Sequence, residues 1–162
     1  MRIKGCCVLN EEMANHSFFS WAGIHIVEAA EGQSHLELSV KDHHRGGGGT
    51  EAINGGIVAY LFDGLLGTAV RSSWTEDVVG HVTVTLNIQY QRLLRVKNTV
   101  VARGRVTKMG GTTVFAAGEV YDESGLVAAT CTGIYQVFRR KEHLAVDMGQ
   151  PSSDGRERRD KK

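Results

Sequence analysis

The sequence predicts an α+β domain in which a curved antiparallel sheet of five to six strands wraps around one long central helix. Three observations predict it. Residues 55–70, GGIVAYLFDGLLGTAV, are apolar nearly all round and carry one charged side chain, Asp63. From residue 82 the pattern changes to strict alternation, and short turns separate the strands that follow. The chain holds 20 glycines and a single proline, Pro151, a balance that suits a tightly bent sheet, because proline interrupts strands and glycine permits bulges and close backbone approach. An apolar helix beside a sheet with one apolar face packs economically when the sheet curls around it.

Each element follows in order. Residues 14–22, around Phe18, Phe19 and Trp21, predict a short helix or turn with aromatic anchors. The segments IHIVEAA and SHLELSV flank Glu31-Gly32-Gln33 and read as a hairpin, with Leu36, Leu38 and Val40 alternating against polar neighbours. Residues 41–53 are polar and include four successive glycines from Gly46 to Gly49. They lack the Lys-Ser/Thr pair of a phosphate-binding P-loop and the spacing of a dinucleotide fingerprint, so a flexible loop is expected. In the apolar segment Asp63-Gly64 is a hairpin signal. Against it, Ile57, Leu61, Leu65 and Thr68 fall on one helical stripe. A helix is expected from Asn54–Gly56 to Ser72-Ser73. In VTVTLNIQY, Val82, Val84, Leu86, Ile88 and Tyr90 share one face of a half-buried strand. Strands are expected at 99–108, 112–122 and 126–138, with turns at Arg95-Val96-Lys97, Met109-Gly110-Gly111 and Asp122–Gly125; connections this short imply antiparallel neighbours. The organisation is an N-terminal segment with a short helix over 1–22, one domain over 23–140, and a polar, disordered tail over 141–162.

Composition narrows the function. The 162 residues are 41% hydrophobic and 23% charged with a net charge of +1, which gives no reason to expect a nucleic-acid partner. No stretch reaches the roughly 18 apolar residues of a membrane span. Arg2 and Lys4 are followed by Asn10, Glu11 and Glu12 with no apolar run between, so no secretory signal is expected. Cys6, Cys7 and Cys131 form no CxxC pair and read as reduced thiols of a cytoplasmic protein. His43 and His44 lack a third ligand, so no metal site is expected.

Asp63 is the candidate for chemistry, because a carboxylate taken into a core costs several kcal/mol, on the order of the penalty for a buried ion, unless it is paired or used. Gly55 and Gly56 begin the expected helix, where backbone N–H groups are free and the dipole is positive.

These residues resemble a known family. The order of elements is similar to the hotdog fold. Ala52-Ile53-Asn54-Gly55-Gly56, followed by Leu61-Phe62-Asp63-Gly64 and Gly67, resembles the signature of phenylacetate-pathway-type acyl-CoA thioesterases, with Asn54 where most members carry His. TLNIQYQR and VYDESGLVAATCTGIYQVF resemble the following strand and the closing hairpin, and the likeness covers about residues 20–138. The resemblance implies thioester hydrolysis with Asp63 as general base or nucleophile and the N–H groups of Gly55 and Gly56 as oxyanion hole, Gly55 foremost. It implies that Thr83 places the attacking water and that Asn54, also a good N-cap, contacts the thioester carbonyl. No cofactor is expected beyond the coenzyme A of the substrate. Arg92, Arg103, Arg105 and Lys108 are candidates for its phosphates, and Tyr60, Phe62, Leu65 and Leu66 suit an apolar or aromatic acyl tail. Asp63 lies about 10 Å along the helix from Gly56 at 1.5 Å per residue, so one helix does not bring both to one carbon. The resemblance resolves this with a site between subunits, a dimer as minimal unit and a tetramer expected. Two other readings compete: a non-catalytic acyl-CoA or acyl-ligand binding protein on the same fold, and a hydratase, which is disfavoured because no His lies in the helix or its first turn.

Overall fold

The computed structural model describes residues 17–46 and 48–140. A short helix, α1 (Ser17–Ala22), leads into the hairpin β1 (Ile24–Ala30) and β2 (Gln33–Ser39). The central helix α2 (Gly55–Ser72) follows, then β3 (Val78–Tyr90), β4 (Thr99–Met109), β5 (Thr113–Tyr121) and β6 (Val127–Arg139). All pairings are antiparallel, and the six strands lie in the order β1-β2-β4-β5-β6-β3. The sheet packs around α2, whose Leu61, Phe62, Leu65, Leu66 and Val70 are fully buried. The expected curved sheet about one helix is the architecture observed.

Glycines set the closeness of that wrap. A Cβ on Gly118 would stand 2.9 Å from Leu65 and 3.0 Å from Leu66; one on Gly104 would meet Leu65 at 2.9 Å, and one on Gly133 would meet Leu66 at 3.1 Å. Gly104 and Gly118 are register partners across β4 and β5. Three neighbouring strands therefore form a trough without side chains, and the two leucines of α2 fill it. Phe62, Leu65 and Leu66 belong to this core and do not line an open acyl pocket.

Asp63-Gly64 lies inside the helix and forms no hairpin. A Cβ at Gly64 would come within 2.5 Å of Phe19 Cε1, so this glycine admits the ring that anchors α1. Phe18 stacks on Tyr60 with centroids 4.0 Å apart, and the Tyr60 hydroxyl donates to the Phe18 carbonyl at 3.0 Å.

Two expectations are corrected. First, β3 is not the neighbour of β4: it pairs with β6, while β4 pairs with β2. The short link after β3 crosses the end of the helix. Buried Leu94 and Val96 hold it there, with the Ile53 N–H donating to the Leu94 carbonyl at 2.9 Å. Second, β3 does not keep one alternation. A bulge between Thr83 and Thr85 shifts the register, because the extra residue of a bulge moves the side chains beyond it to the opposite face. Thr83 therefore joins Leu86 and Ile88 on the helix side, and Val82 and Val84 face outward at 48% and 58% exposure.

Candidate active site

Asp63 projects from the open flank of α2, beside edge strand β3, and is partly exposed rather than buried in the core. The Thr83 hydroxyl donates to Asp63 Oδ1 at 2.8 Å. That bond joins the helix to the edge strand and leaves Oδ2 without a hydrogen-bond partner among the described residues. Tyr60 on its own helix, His81 on β3, and Cys131 and Tyr135 on β6 all feel the Asp63 charge. Burial pushes the Tyr135 phenol far above its usual range and the Cys131 thiol up to about 11. Burial, with the Arg71 charge, lowers His81.

At the helix start Asn54 is the N-cap. Its Oδ1 accepts the Gly56 N–H at 2.8 Å, and its Nδ2 donates to the Gly46 carbonyl at 3.1 Å. The Asn54 carbonyl takes the Ile57 and Val58 N–H groups. Gly55 N–H alone of the first turn has no partner among the described residues, so it is the donor available to a ligand. The Tyr90 hydroxyl donates to the Gly55 carbonyl at 2.8 Å, and its ring lies where a Gly55 Cβ would be 3.5 Å away.

Gly55 opens into a cavity of about 450 Å³, walled by Val58, Tyr90, Leu93, Leu94 and Ala129, with Asn54 and Arg92 as polar groups. A second cavity of about 540 Å³ shares Thr50 with it and carries Arg45, Arg95 and Lys97 opposite Glu51 and Glu123.

The structure brings together Asp63 with Thr83, and Asn54, Gly55 and Gly56 with Arg92. Within one chain it does not join the two groups, because eight residues of helix, about 12 Å at the α-helical rise, separate Asp63 from Gly55. Arg103, Arg105 and Lys108 are exposed on β4, alternating with the inward-facing Ala102 and Gly104. They occupy the face turned away from α2 and lie apart from the Gly55 cavity in the same chain. Tyr60 serves the packing of α1. His44 is buried, its Nδ1 accepting the Lys41 N–H at 3.1 Å, and it closes the turn after β2. Sequence reasoning missed Tyr90, Tyr135, Arg95 and Lys97. Tyr90 carried one signal, a phenol ending an apolar face; the others depend on contacts between distant segments.

Residues 51–129 match the model of the thioesterase superfamily. A protein of Halobacterium salinarum, provisionally named an esterase, is 29% identical over 77% of this chain and 87% of its own length. The Escherichia coli PaaI protein, from the phenylacetic acid degradation operon, superposes with a TM-score of 0.70 at 20% identity, over 79% of this chain and 88% of that one. A hypothetical thioesterase protein of Streptococcus pneumoniae solved with coenzyme A superposes with a TM-score of 0.68 at 19% identity, over 78% and 96%. The helix-wrapping sheet is the hotdog fold, and the stretch 51–129, which holds the central helix and most of the sheet, is similar to the thioesterase superfamily. No helix among the described residues is long and apolar enough to cross a membrane.

Proposed function

We propose that this protein hydrolyses acyl-CoA thioesters to the free acid and coenzyme A, with Asp63 of one protomer and Gly55 of another completing each site. The observation that carries the reading is the state of the two groups: a carboxylate held by Thr83 at one oxygen with the other open, and an unpartnered N–H at the positive end of an 18-residue helix. Asp63 removes a proton from water as the water attacks the carbonyl, or itself attacks to give an anhydride that water then opens. The oxygen gains charge in either case, and the Gly55 N–H stabilises it. The thiolate of coenzyme A leaves and takes up a proton. No resident cofactor enters this chemistry.

The gap of about 12 Å along the helix supports a second copy of the chain. Among the described residues β3 is an unpaired sheet edge, and an exposed edge is a template for antiparallel pairing. Two β3 edges joined about a two-fold axis would set the helices side by side, with the start of one near the middle of the other. Val82, Phe115 and Phe138, exposed on the outer face, offer an apolar surface for a further pairing into a tetramer. Arg92, with Arg95 and Lys97 in the adjoining cavity, meets the coenzyme A phosphates. The apolar walls beside Gly55 hold the rest of the thioester, and the reading places the enzyme in the cytoplasm.

Thiol release from a panel of short, long, branched and aromatic acyl-CoAs tests the proposal, with Asp63→Asn run beside the wild type. Release lost in the variant supports hydrolysis through Asp63. Ligand-induced stabilisation without release from any substrate overturns it in favour of a binding protein, a reading the engaged Asn54 amide favours.

A further inference from the structure

Tyr135 lies opposite Thr83 in the β3–β6 register and is fully buried. Its hydroxyl is sealed from solvent and makes no hydrogen bond of normal geometry. Buried polar atoms are nearly always satisfied in native proteins, and the exceptions concentrate where the group has another use. The ring is held in place on two sides. It lies over Gly133, where a Cβ would stand 3.0 Å from its Cε2, and its centroid is 5.7 Å from that of His81. Thr83, its register partner on β3, is the hydroxyl-bearing residue directly opposite it.

The two hydroxyls are complementary. Thr83 has spent its one proton on Asp63 Oδ1, so what it still offers is lone pairs. Tyr135 holds a proton without an acceptor. Burial and then the Asp63 charge raise its phenol, so it holds its proton at neutral pH.

We propose that Tyr135 is a positioning residue, donating to Thr83 Oγ1 so that Tyr135, Thr83 and Asp63 form one directed hydrogen-bond chain ending on the carboxylate. Chains of this kind strengthen each member by polarisation. This one fixes the Thr83 rotamer and holds Asp63 with Oδ2 turned to the reacting atoms. Tyr135 itself touches no substrate. The catalytic part of the inference rests on the proposed function; the hydrogen-bond chain does not.

The test uses the full chain with Tyr135→Phe, Thr83→Val and the double variant. The first readout is the Asp63 carboxyl titration followed by NMR of aspartate labelled at its carboxyl carbon, which needs no activity. Tyr60, His81, Cys131 and Tyr135 also face Asp63 and are unchanged in type by Thr83→Val, so that background isolates the chain. Tyr135→Phe is expected to move the Asp63 midpoint, and to add nothing in the Thr83→Val background. An unmoved midpoint, or equal shifts in both backgrounds, overturns the chain. The second readout is kinetic: kcat about tenfold lower with KM within about twofold, and a double variant no slower than Thr83→Val. Full kcat in Tyr135→Phe overturns the positioning role. Full kcat in Asp63→Asn overturns the catalytic role of Asp63 instead, and leaves the titration to judge the chain.

Discussion

The side-chain carbonyl of Asn54 accepts the Gly56 N–H at 2.8 Å. One residue therefore caps the helix and decides which backbone donor of its first turn stays open. The two roles separate on substitution. Asn54→Asp keeps the acceptor and adds a charge that the helix dipole favours, but loses the Nδ2 donation to the Gly46 carbonyl, so stability should change little. The same charge opposes an oxyanion at Gly55, and kcat should fall at least about tenfold. Asn54→Ala should instead cost ~1 kcal/mol of stability, the usual loss for an N-cap. Thermal melts beside thiol-release assays check both; an Asp variant with full activity places the oxyanion elsewhere.

Gly64 makes a second separable contact. Its missing Cβ would lie 2.5 Å from Phe19 Cε1, and overpacking of this kind costs about 1–3 kcal/mol. Gly64→Ala should lower stability by that amount. Phe19→Ala in the same chain should recover part of the loss from Gly64→Ala, because the clash then has no partner. Urea midpoints of the single and double variants give the coupling. Gly111→Ala is the control, since nothing lies within 4 Å of its Cβ.

Periodicity carried most of the fold. The apolar run over 55–70 and the turns at Glu31-Gly32 and Gly110-Gly111 are local signals, and the boundaries of the central helix and of every strand but β3 lie within one or two residues of those expected; β3 begins at Val78, four residues before the alternation that marked it. The bulge at Thr83 was not legible. Valine and threonine alternate there with nearly equal size and β-propensity, so inserting one residue leaves no mark in the pattern. Nor was the β3–β6 pairing, because a short link looks the same whether it turns back or crosses a helix end. For the site, Asp63 and Gly55 stood out as a lone charge and a helix start. The pairs that hold them, Thr83 with Asp63 and Tyr90 with Gly55, span 20 and 35 residues. They arise only once β3 is folded against α2.

Cys131 faces inward on β6 at 2% exposure, and burial pushes its thiol up to about 11. The thiolate is the reactive form, so iodoacetamide should leave Cys131 unmodified in the folded protein at neutral pH and label it after denaturation. Cys131→Ala should retain kcat. Peptide mass analysis after timed labelling locates the adduct, and rapid native labelling at Cys131 would contradict the buried position.

His44 gives the fold a pH dependence whose sign is fixed. It is 1% exposed, and burial first, then His43, Lys41 and Arg45, lower its pKa from the ordinary 6.5, with the Ala22 carbonyl pulling the other way. A histidine lowered in the folded state is protonated first in the unfolded chain, so the unfolded state binds more protons on acidification. Its contribution is complete above about pH 6.5 and is lost as pH falls from there toward the folded value. The slope is at most about 1.4 kcal/mol per pH unit for each such histidine. His81, lowered by burial and then Arg71, adds in the same direction. Urea midpoints measured from pH 7.5 to 5 should therefore fall. His44→Asn, whose Oδ1 can take over the Lys41 N–H from Nδ1, should flatten part of that fall and leave the remainder to His81. A wild-type midpoint that rises on acidification across this window would mean that His44 is held charged in the fold.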